Sequence, residues 1–489
     1  MSKRNLSSGF IFNIIGAVVP IIISLAVVPL YIHGIGLPRY GIVTLCWVFL
    51  GYFEFLDFGM SRASSNALAK LPPDDTFTRS RVLMTAIYTN LALGIIGGIA
   101  MLIVGHVIFS DFIKIPDDLK SEVIAAYPWM AAMLPLGMIG SVLKGAIEAH
   151  ERFALSNTLN VLSNVGGQVV PLASAFIWSP SLLVVLPALV AVRLFYVVAS
   201  FYQIMKIERP LHVMVFDRVW LRKLFGYGSW VSVSNLLNPL LDTTNQVVIG
   251  SILGSGAVAN YSVPMNLAMR SQIVATALAR TLFPRMSRVS RVEAMEITQN
   301  TAGTLAYGFG IISGPAILFS SSFLHLWIGA RFAAESATVA QILLFGAWIN
   351  GVAFLPYNFL QAQGRPNITA KISLIEILPF FAVLYQLIQW MGLAGAALAW
   401  TLRVSINCIV LFLLSGCIDH KQKRLLPVIG LMLICTVVSI LMPMTIIQSL
   451  LASLLSFLAF SVAAIVFDPS SKRIFIQVSK KVFRNKRFS

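Results

Sequence analysis

Charge is what this sequence has least of. Only 11% of its 489 residues are Asp, Glu, Lys or Arg, 57% are hydrophobic, and the mean hydropathy is +0.83. A water-soluble chain of this length could not bury so much apolar surface, so the composition excludes a soluble globular protein and indicates a polytopic α-helical membrane protein. Acidic residues are scarcer still: 19 Asp and Glu stand against 36 Lys and Arg, a formal net charge of +17. Gathered in one patch, that surplus would suit nucleic acid. The cations instead lie in short clusters between apolar runs, so no nucleic-acid partner is expected.

Other absences narrow the classes further. The four cysteines (Cys46, Cys408, Cys417, Cys435) form no CxxC pair, and three fall inside apolar runs, which makes them small fillers. The six histidines are scattered, with no two at metal-ligand spacing. There is no GxxxxGK[ST] loop to hold a nucleotide, no HExxH pair and no nucleophile elbow. We therefore expect no cofactor, no metal and no enzymatic activity. Long polar loops are missing as well; the longest on the outer side, Ser110 to Glu122, is too short to fold by itself.

What is present is a succession of apolar runs of about 20 residues, the length that crosses a bilayer as a helix; a transmembrane barrel would show alternating strands of about ten. The runs cover about fourteen spans: 9–32, 40–61, 82–109, 123–146, 157–177, 181–205, 224–250, 256–284, 298–322, 335–357, 368–390, 392–415, 425–447 and 449–467. The first follows Lys3 and Arg4 as a signal peptide would, but it is too long and too many runs follow it. With the N-terminus inside, 28 cations fall on the inner face and four (Arg39, Lys114, Lys120, Arg331) on the outer. That bias places both termini in the cytoplasm.

An internal repeat relates spans one and two to spans seven and eight. Asn13 and Asn235 each precede a proline-containing helix, a Gly-rich turn, and a tyrosine (Tyr40, Tyr261) opening a second helix that ends in arginine. Six spans per half make the halves parallel repeats with a site expected at their interface. The expected organisation is an N-terminal six-helix lobe (1–205), a cytoplasmic linker (206–223), a C-terminal six-helix lobe (224–415), two extra helices (416–467) and a basic tail (468–489). The tail repeats Ile474, Val478 and Val482 among cations, which reads as an interfacial helix on anionic lipid. Gly94 and Gly98 allow close packing of neighbouring helices.

Candidate functional residues are the charges that fall deep in these runs, because an arginine at mid-membrane costs about 2.5–3.5 kcal/mol and faces a cavity or a partner. They are Arg193, Asp242, Arg270, Glu376 and Arg403, with Asp57, Arg62 and Arg280 nearer the inner ends of spans two and eight. Arg270, midway along Tyr261 to Pro284, either pairs with Asp242 or waits in a cavity for an anion. Every deep cation is arginine, whose flat fork grips phosphate oxygens in pairs. Asp242, Glu376 and Asp57 could balance these cations or carry a coupling Na⁺ or H⁺. Asn235 and Asn238, with Thr243, Thr244, Asn245, Gln246, Asn260 and Asn266, could hydrogen-bond sugar rings or neighbouring helices.

Four motifs carry a family resemblance: Gly36 to Gly41 (GLPRYG) opening span two, Phe55 to Arg62 (FLDFGMSR) closing it, Gly145 to Phe153 (GAIEAHERF) after span four, and Gln361 to Pro366 (QAQGRP) after span ten. In this order and spacing the chain resembles the bacterial polysaccharide exporters (Wzx type) of the superfamily that also holds multidrug (MATE) exporters and peptidoglycan-precursor flippases. The resemblance implies an all-α fold of two six-helix lobes around a central cavity, plus two extra helices, in the bacterial inner membrane. It implies alternating access carrying an undecaprenyl-pyrophosphate-linked oligosaccharide such as an O-antigen unit, in company with a polymerase and chain-length machinery. It also implies that Arg270 meets the pyrophosphate and that Arg62 or Arg280 guards the inner mouth. Span one has no basic residue between Gly9 and Ile32, unlike the peptidoglycan-precursor branch. The rival classes are a drug or cation antiporter of the same fold, which favours acids and aromatics in its cavity, and a membrane glycosyltransferase or polymerase, which needs a large outer loop.

Overall fold

Asp75, Asp217, Ser290 and Thr445 each stand just before an apolar run, and each caps a helix. Their side chains accept from Thr78 N, from Val219 and Trp220 N, from Glu293 N, and from Gln448 N, the last in a reciprocal capping box. Asp75 lies outside the apolar runs, and the backbone N–H of Thr78 holds its carboxyl below the usual carboxylate range.

The computed structural model describes the backbone of residues 22–53, 57, 59–72, 74–208, 215–418 and 423–473; the side chains of 50–53, 226–243, 274, 277, 279–281, 284 and 366 lie outside the description. All regular elements among the described residues are helices. They are α1 (Ile22–Ile35), α2 (Leu37–Phe53), α3 (Met60–Lys70), α4 (Thr76–Val107, continued by a π turn Ile108–Phe112), α5 (Asp117–Ala126), α6 (Pro128–Ala149), α7 (Phe153–Ile177) and α8 (Leu182–Glu208). There follow α9 (Arg218–Leu253), α10 (Ser255–Ser271), α11 (Ile273–Met286), α12 (Arg291–Trp327), α13 (Ala330–Ala362), α14 (Pro366–Ser415), α15 (Leu425–Leu441) and α16 (Ile446–Phe467). Seven of the described helical stretches are long and apolar enough to cross a membrane. The protein is an all-α, multi-pass membrane protein.

The runs and the helices differ in two places. Span two is two helices, α2 and α3, because Gly59 sits in the left-handed region (φ 66°) and α3 restarts after it. Span eight is α10 and α11, parted at Gln272. Spans eleven and twelve are two helices, as the runs indicate, joined within α14 at Gly392 (φ 58°, ψ −132°), where the helix stops being helical and folds back. There Gly395 lies so close that an added Cβ would stand 2.0 Å from Leu387 O.

Backbone contacts divide the chain into two units, Met1–Ala259 and Asn260–Ser489. In the first, small residues let helices meet at backbone distance, as lipid-exposed packing requires. Gly94 and Gly98 of α4 face Pro135 and Ala131 of α6, and Gly140 of α6 receives the Tyr196 ring of α8. Met60, Leu68, Val82, Leu83, Val142, Leu143 and Ile204 fill the space between α3, α4, α6 and α8. Arg39 of α2 grips Glu122 of α5 in a bidentate pair (Nε–Oε1 3.0 Å, Nη2–Oε2 2.8 Å), and the same carboxylate accepts from Leu182 N, where α8 begins. Gly41 of the GLPRYG motif lies on the Ser255 carbonyl, where a Cβ would come within 1.8 Å.

In the second unit α12, α13 and α14 pack side by side, with Trp348 Nε1 of α13 donating to Ala306 O of α12 at 2.9 Å. The charge-free pair α15–α16 is seated on α12. Phe460 fills the space left by Gly310 and Gly314, and Arg424 pairs with the fully buried Asp468 (Nη1–Oδ1 3.0 Å) just beyond the apolar ends.

Candidate functional site

Arg270 lies half-buried in the last turn of α10. A helix C-terminus carries negative partial charge, so a cation is locally favoured there. One residue on, the chain breaks. Gln272 N donates to Met269 O (3.2 Å) in a tight turn, and Thr276 N picks up Gln272 O (2.9 Å) as α11 begins. The Gln272 side chain is 3% exposed; its Nε2 donates to Ala347 O of α13 (3.3 Å), and its Oε1 accepts from Asn350 Nδ2 (3.3 Å). Arg270 thus stands two residues before the point where the helix is interrupted.

Asp57 stands at the other break. Its carboxylate accepts from the backbone N of Ser61 (3.3 Å to each oxygen) and from Ser61 Oγ (2.7 Å), which closes the open end of α3. Arg62, exposed in the first turn of α3, is within electrostatic reach of it. Gly145 of α6 explains a second motif residue: a Cβ there would lie 2.8 Å from Ser61 O, so only glycine lets α6 receive the restarted helix.

Glu376 and Arg403 come together on the α14 hairpin. Glu376 Oε1 accepts from Asn407 Nδ2 at 2.6 Å, and one turn further in, the Arg403 guanidinium lies 5.1 Å from the centre of the Phe380 ring. Arg193 lies half-buried on α8, where Gly137 of α6 leaves room for its guanidinium; a Cβ at 137 would be 3.5 Å from Nη1. The Arg193/Tyr196 ridge of α8 therefore fits a Gly137/Gly140 groove on α6. Arg193 belongs to the first unit; Arg270, Glu376 and Arg403 belong to the second. The side chains of Asn235, Asn238, Asp242 and Arg280 lie outside the described residues, and so does the Arg270–Asp242 pairing. Asn260, one of the amides able to bond sugars or a neighbouring helix, bonds a helix: it donates to Glu335 and accepts from Ser336 Oγ (3.2 Å), both on α13. The basic tail beyond Arg473 is likewise outside the description.

Residue spacing gave no hint of a buried ion cluster in the first unit. Arg79, 4% exposed, holds Glu208 with two nitrogens (Nε–Oε2 3.0 Å, Nη2–Oε1 2.8 Å) and donates to the Leu68 and Leu71 carbonyls at the end of α3. His150 Nε2, after α6, completes the cluster 2.6 Å from Glu208 Oε1. Two residues along, Arg81 pairs with Asp217 (2.7 Å), whose backbone N donates to Thr85 Oγ1. Both ends of the expected linker are therefore anchored on α4. The sequence signals were an arginine just before one apolar run, an acid just after another, and His150 inside the GAIEAHERF motif.

A family model described as "Polysaccharide biosynthesis protein" matches residues 6–290. The chain belongs to that family. A Shigella flexneri protein named "Putative O-antigen transporter" is 26% identical over 82% of this chain and 95% of its own length. The "Lipopolysaccharide biosynthesis protein WzxC" of Escherichia coli is 24% identical over 67% of this chain and 65% of its own. Among solved structures, the lipid II flippase MurJ in an inward closed conformation superposes with a TM-score of 0.70 at 12% identity, covering 93% of this chain and 99% of that one. An inward-facing multidrug resistance MATE transporter of the MOP superfamily gives 0.69 at 16% identity, covering 82% and 97%. At these identities the structural likenesses establish the shared fold.

Proposed function

We propose that the chain is a flippase carrying an undecaprenyl-pyrophosphate-linked oligosaccharide, the unit of an O-antigen or related surface polysaccharide, across the bacterial inner membrane by alternating access. It moves its substrate and makes or breaks no bond. The observation that carries this reading is Arg270, a half-buried arginine at the end of a helix that stops inside an apolar run. Pyrophosphate and sugars cannot cross about 30 Å of hydrocarbon bare, because their hydrogen bonds to water have no substitute there. An arginine at an interrupted helix supplies charge-assisted bonds to phosphate oxygens while the prenyl tail stays in lipid. The names of the family and of its relatives support the same substrate class.

The finer assignments belong to the same proposal. Fourteen crossings form two six-helix lobes and an added pair, with both termini cytoplasmic. Arg193, Arg403, Arg62, Arg280, Asn235 and Asn238 contribute to the substrate path; Asp242, Glu376 and Asp57 are counter-charges or carriers of a coupling Na⁺ or H⁺. A polymerase and chain-length machinery act on the exported unit. The test is Arg270→Ala in a strain lacking the native gene. Surface polysaccharide should disappear at unchanged protein level, and Arg270→Lys should restore it in part because an ammonium cannot grip two oxygens at once. Wild-type polysaccharide in the alanine strain would overturn the assignment.

A further inference from the structure

We infer that Gln272 and Asn350 are positioning residues for Arg270, an inference that rests on the reading of Arg270 as the pyrophosphate ligand. Gln272 is the single residue between α10 and α11, and its side chain is buried at membrane depth, where an amide has only protein to bond to. It reaches α13 twice, through Ala347 O and Asn350 Nδ2. One turn into α11, Ala275 meets α13 again at Gly351, where an added Cβ would lie 3.2 Å from the Ala275 methyl and 2.5 Å from the Phe309 ring. The start of α11 is therefore held on α13 by residues 347, 350 and 351.

The consequence falls on Arg270. With α11 fixed to α13, the direction of the last turn of α10 is set at Gln272, two residues after the arginine. Ser271 Oγ, donating to Ala268 O at 2.6 Å, keeps that turn closed up to the break. Without the amide pair the turn at Gln272 loses its side-chain bonds to α13, and the direction of the last turn of α10 is no longer fixed at that point. A misplacement of about 1 Å in a charge-binding group can cost on the order of a hundredfold. The pair thus aims the arginine rather than touching the substrate.

The experiment uses the purified full chain in detergent, with undecaprenyl pyrophosphate as the probe, and reads binding and thermal unfolding together. Arg270→Ala should lose binding. Gln272→Leu and Asn350→Leu should each bind about tenfold more weakly and unfold earlier, because Asn350 Nδ2 loses its acceptor in the first and Gln272 Oε1 its donor in the second. The double variant Gln272→Leu/Asn350→Leu removes both amides, so its unfolding temperature should return toward wild type while binding stays weak. The exchange Gln272→Asn/Asn350→Gln keeps the combined reach of the two amides and should recover binding. If the double variant is stable and binds like wild type, or if binding follows unfolding temperature through the whole series, the positioning role is overturned while the Arg270 reading stands. If Arg270→Ala binds as wild type does, the Arg270 reading fails and this inference with it.

Discussion

The two breaks in the apolar runs are made of opposite materials. Between α2 and α3 the turn is made by local means, a glycine at φ 66° and a carboxylate at position 57 closing the amide of Ser61, while Gly145 of α6 only leaves room for the restarted helix. Between α10 and α11 no positive-φ residue is involved; Gln272 keeps a near-helical φ of −71° and is held by two bonds from α13. A break written into its own residues persists wherever the neighbouring helices go. A break held by a neighbour moves when the neighbour moves, which suits the segment that bears the proposed substrate ligand.

The contrast can be broken at the first site, most strongly from outside it. Gly145→Leu places a side chain where a Cβ alone would already stand 2.8 Å from Ser61 O and 3.4 Å from Ser65 Cβ. The near neighbour is backbone and cannot rotate away, so α3 must shift, at about 3 kcal/mol. The unfolding temperature in detergent should fall sharply and surface polysaccharide should be lost. Full stability would mean that α3 is not seated on α6. Next in size is Gly59→Val, which forces a β-branched residue into the left-handed region at about 1–2 kcal/mol. Gly59→Asn should cost much less, since asparagine tolerates that conformation. Equal losses from the two variants would remove the left-handed glycine from the account of this break.

The two breaks also differ in what could be read in advance. FLDFGMSR and GAIEAHERF stood out through their resemblance to a family, and the structure supplies reasons for Gly59, Asp57 and Gly145 within them. The Gly392 fold was visible as a boundary between runs, and Gly364 (φ 71°) ends α13 within QAQGRP. Arg270 was conspicuous because a cation in an apolar run is expensive. Gln272 was not: an uncharged amide two residues away has no periodicity, and its partner lies on another helix at Asn350. The Arg79–Glu208–His150 cluster was hidden for the same reason, since its members come from the ends of three helices far apart in sequence.

The smallest effect sharpens the comparison most, because Asp57 has two proposed roles that separate. As a cap, its carboxylate takes the Ser61 amide and hydroxyl, so Asp57→Ala should destabilise by about 1 kcal/mol. Asp57→Asn keeps a side-chain oxygen for the amide and should cost roughly half as much. Ser61→Ala deletes only the 2.7 Å hydroxyl bond, and combined with Asp57→Ala it should add nothing, because the partner of that bond is already gone. Polysaccharide export in these strains should follow the unfolding temperature of the purified variants. The alternative, a carrier of Na⁺ or H⁺, predicts the reverse: Asp57→Asn would be nearly as stable as wild type and yet would not export, since an amide neither takes up a proton near neutral pH nor balances a cation. A stable, inactive Asp57→Asn protein would move this residue from the architecture of the break to the driving step of transport. The first break would then be a moving part like the second.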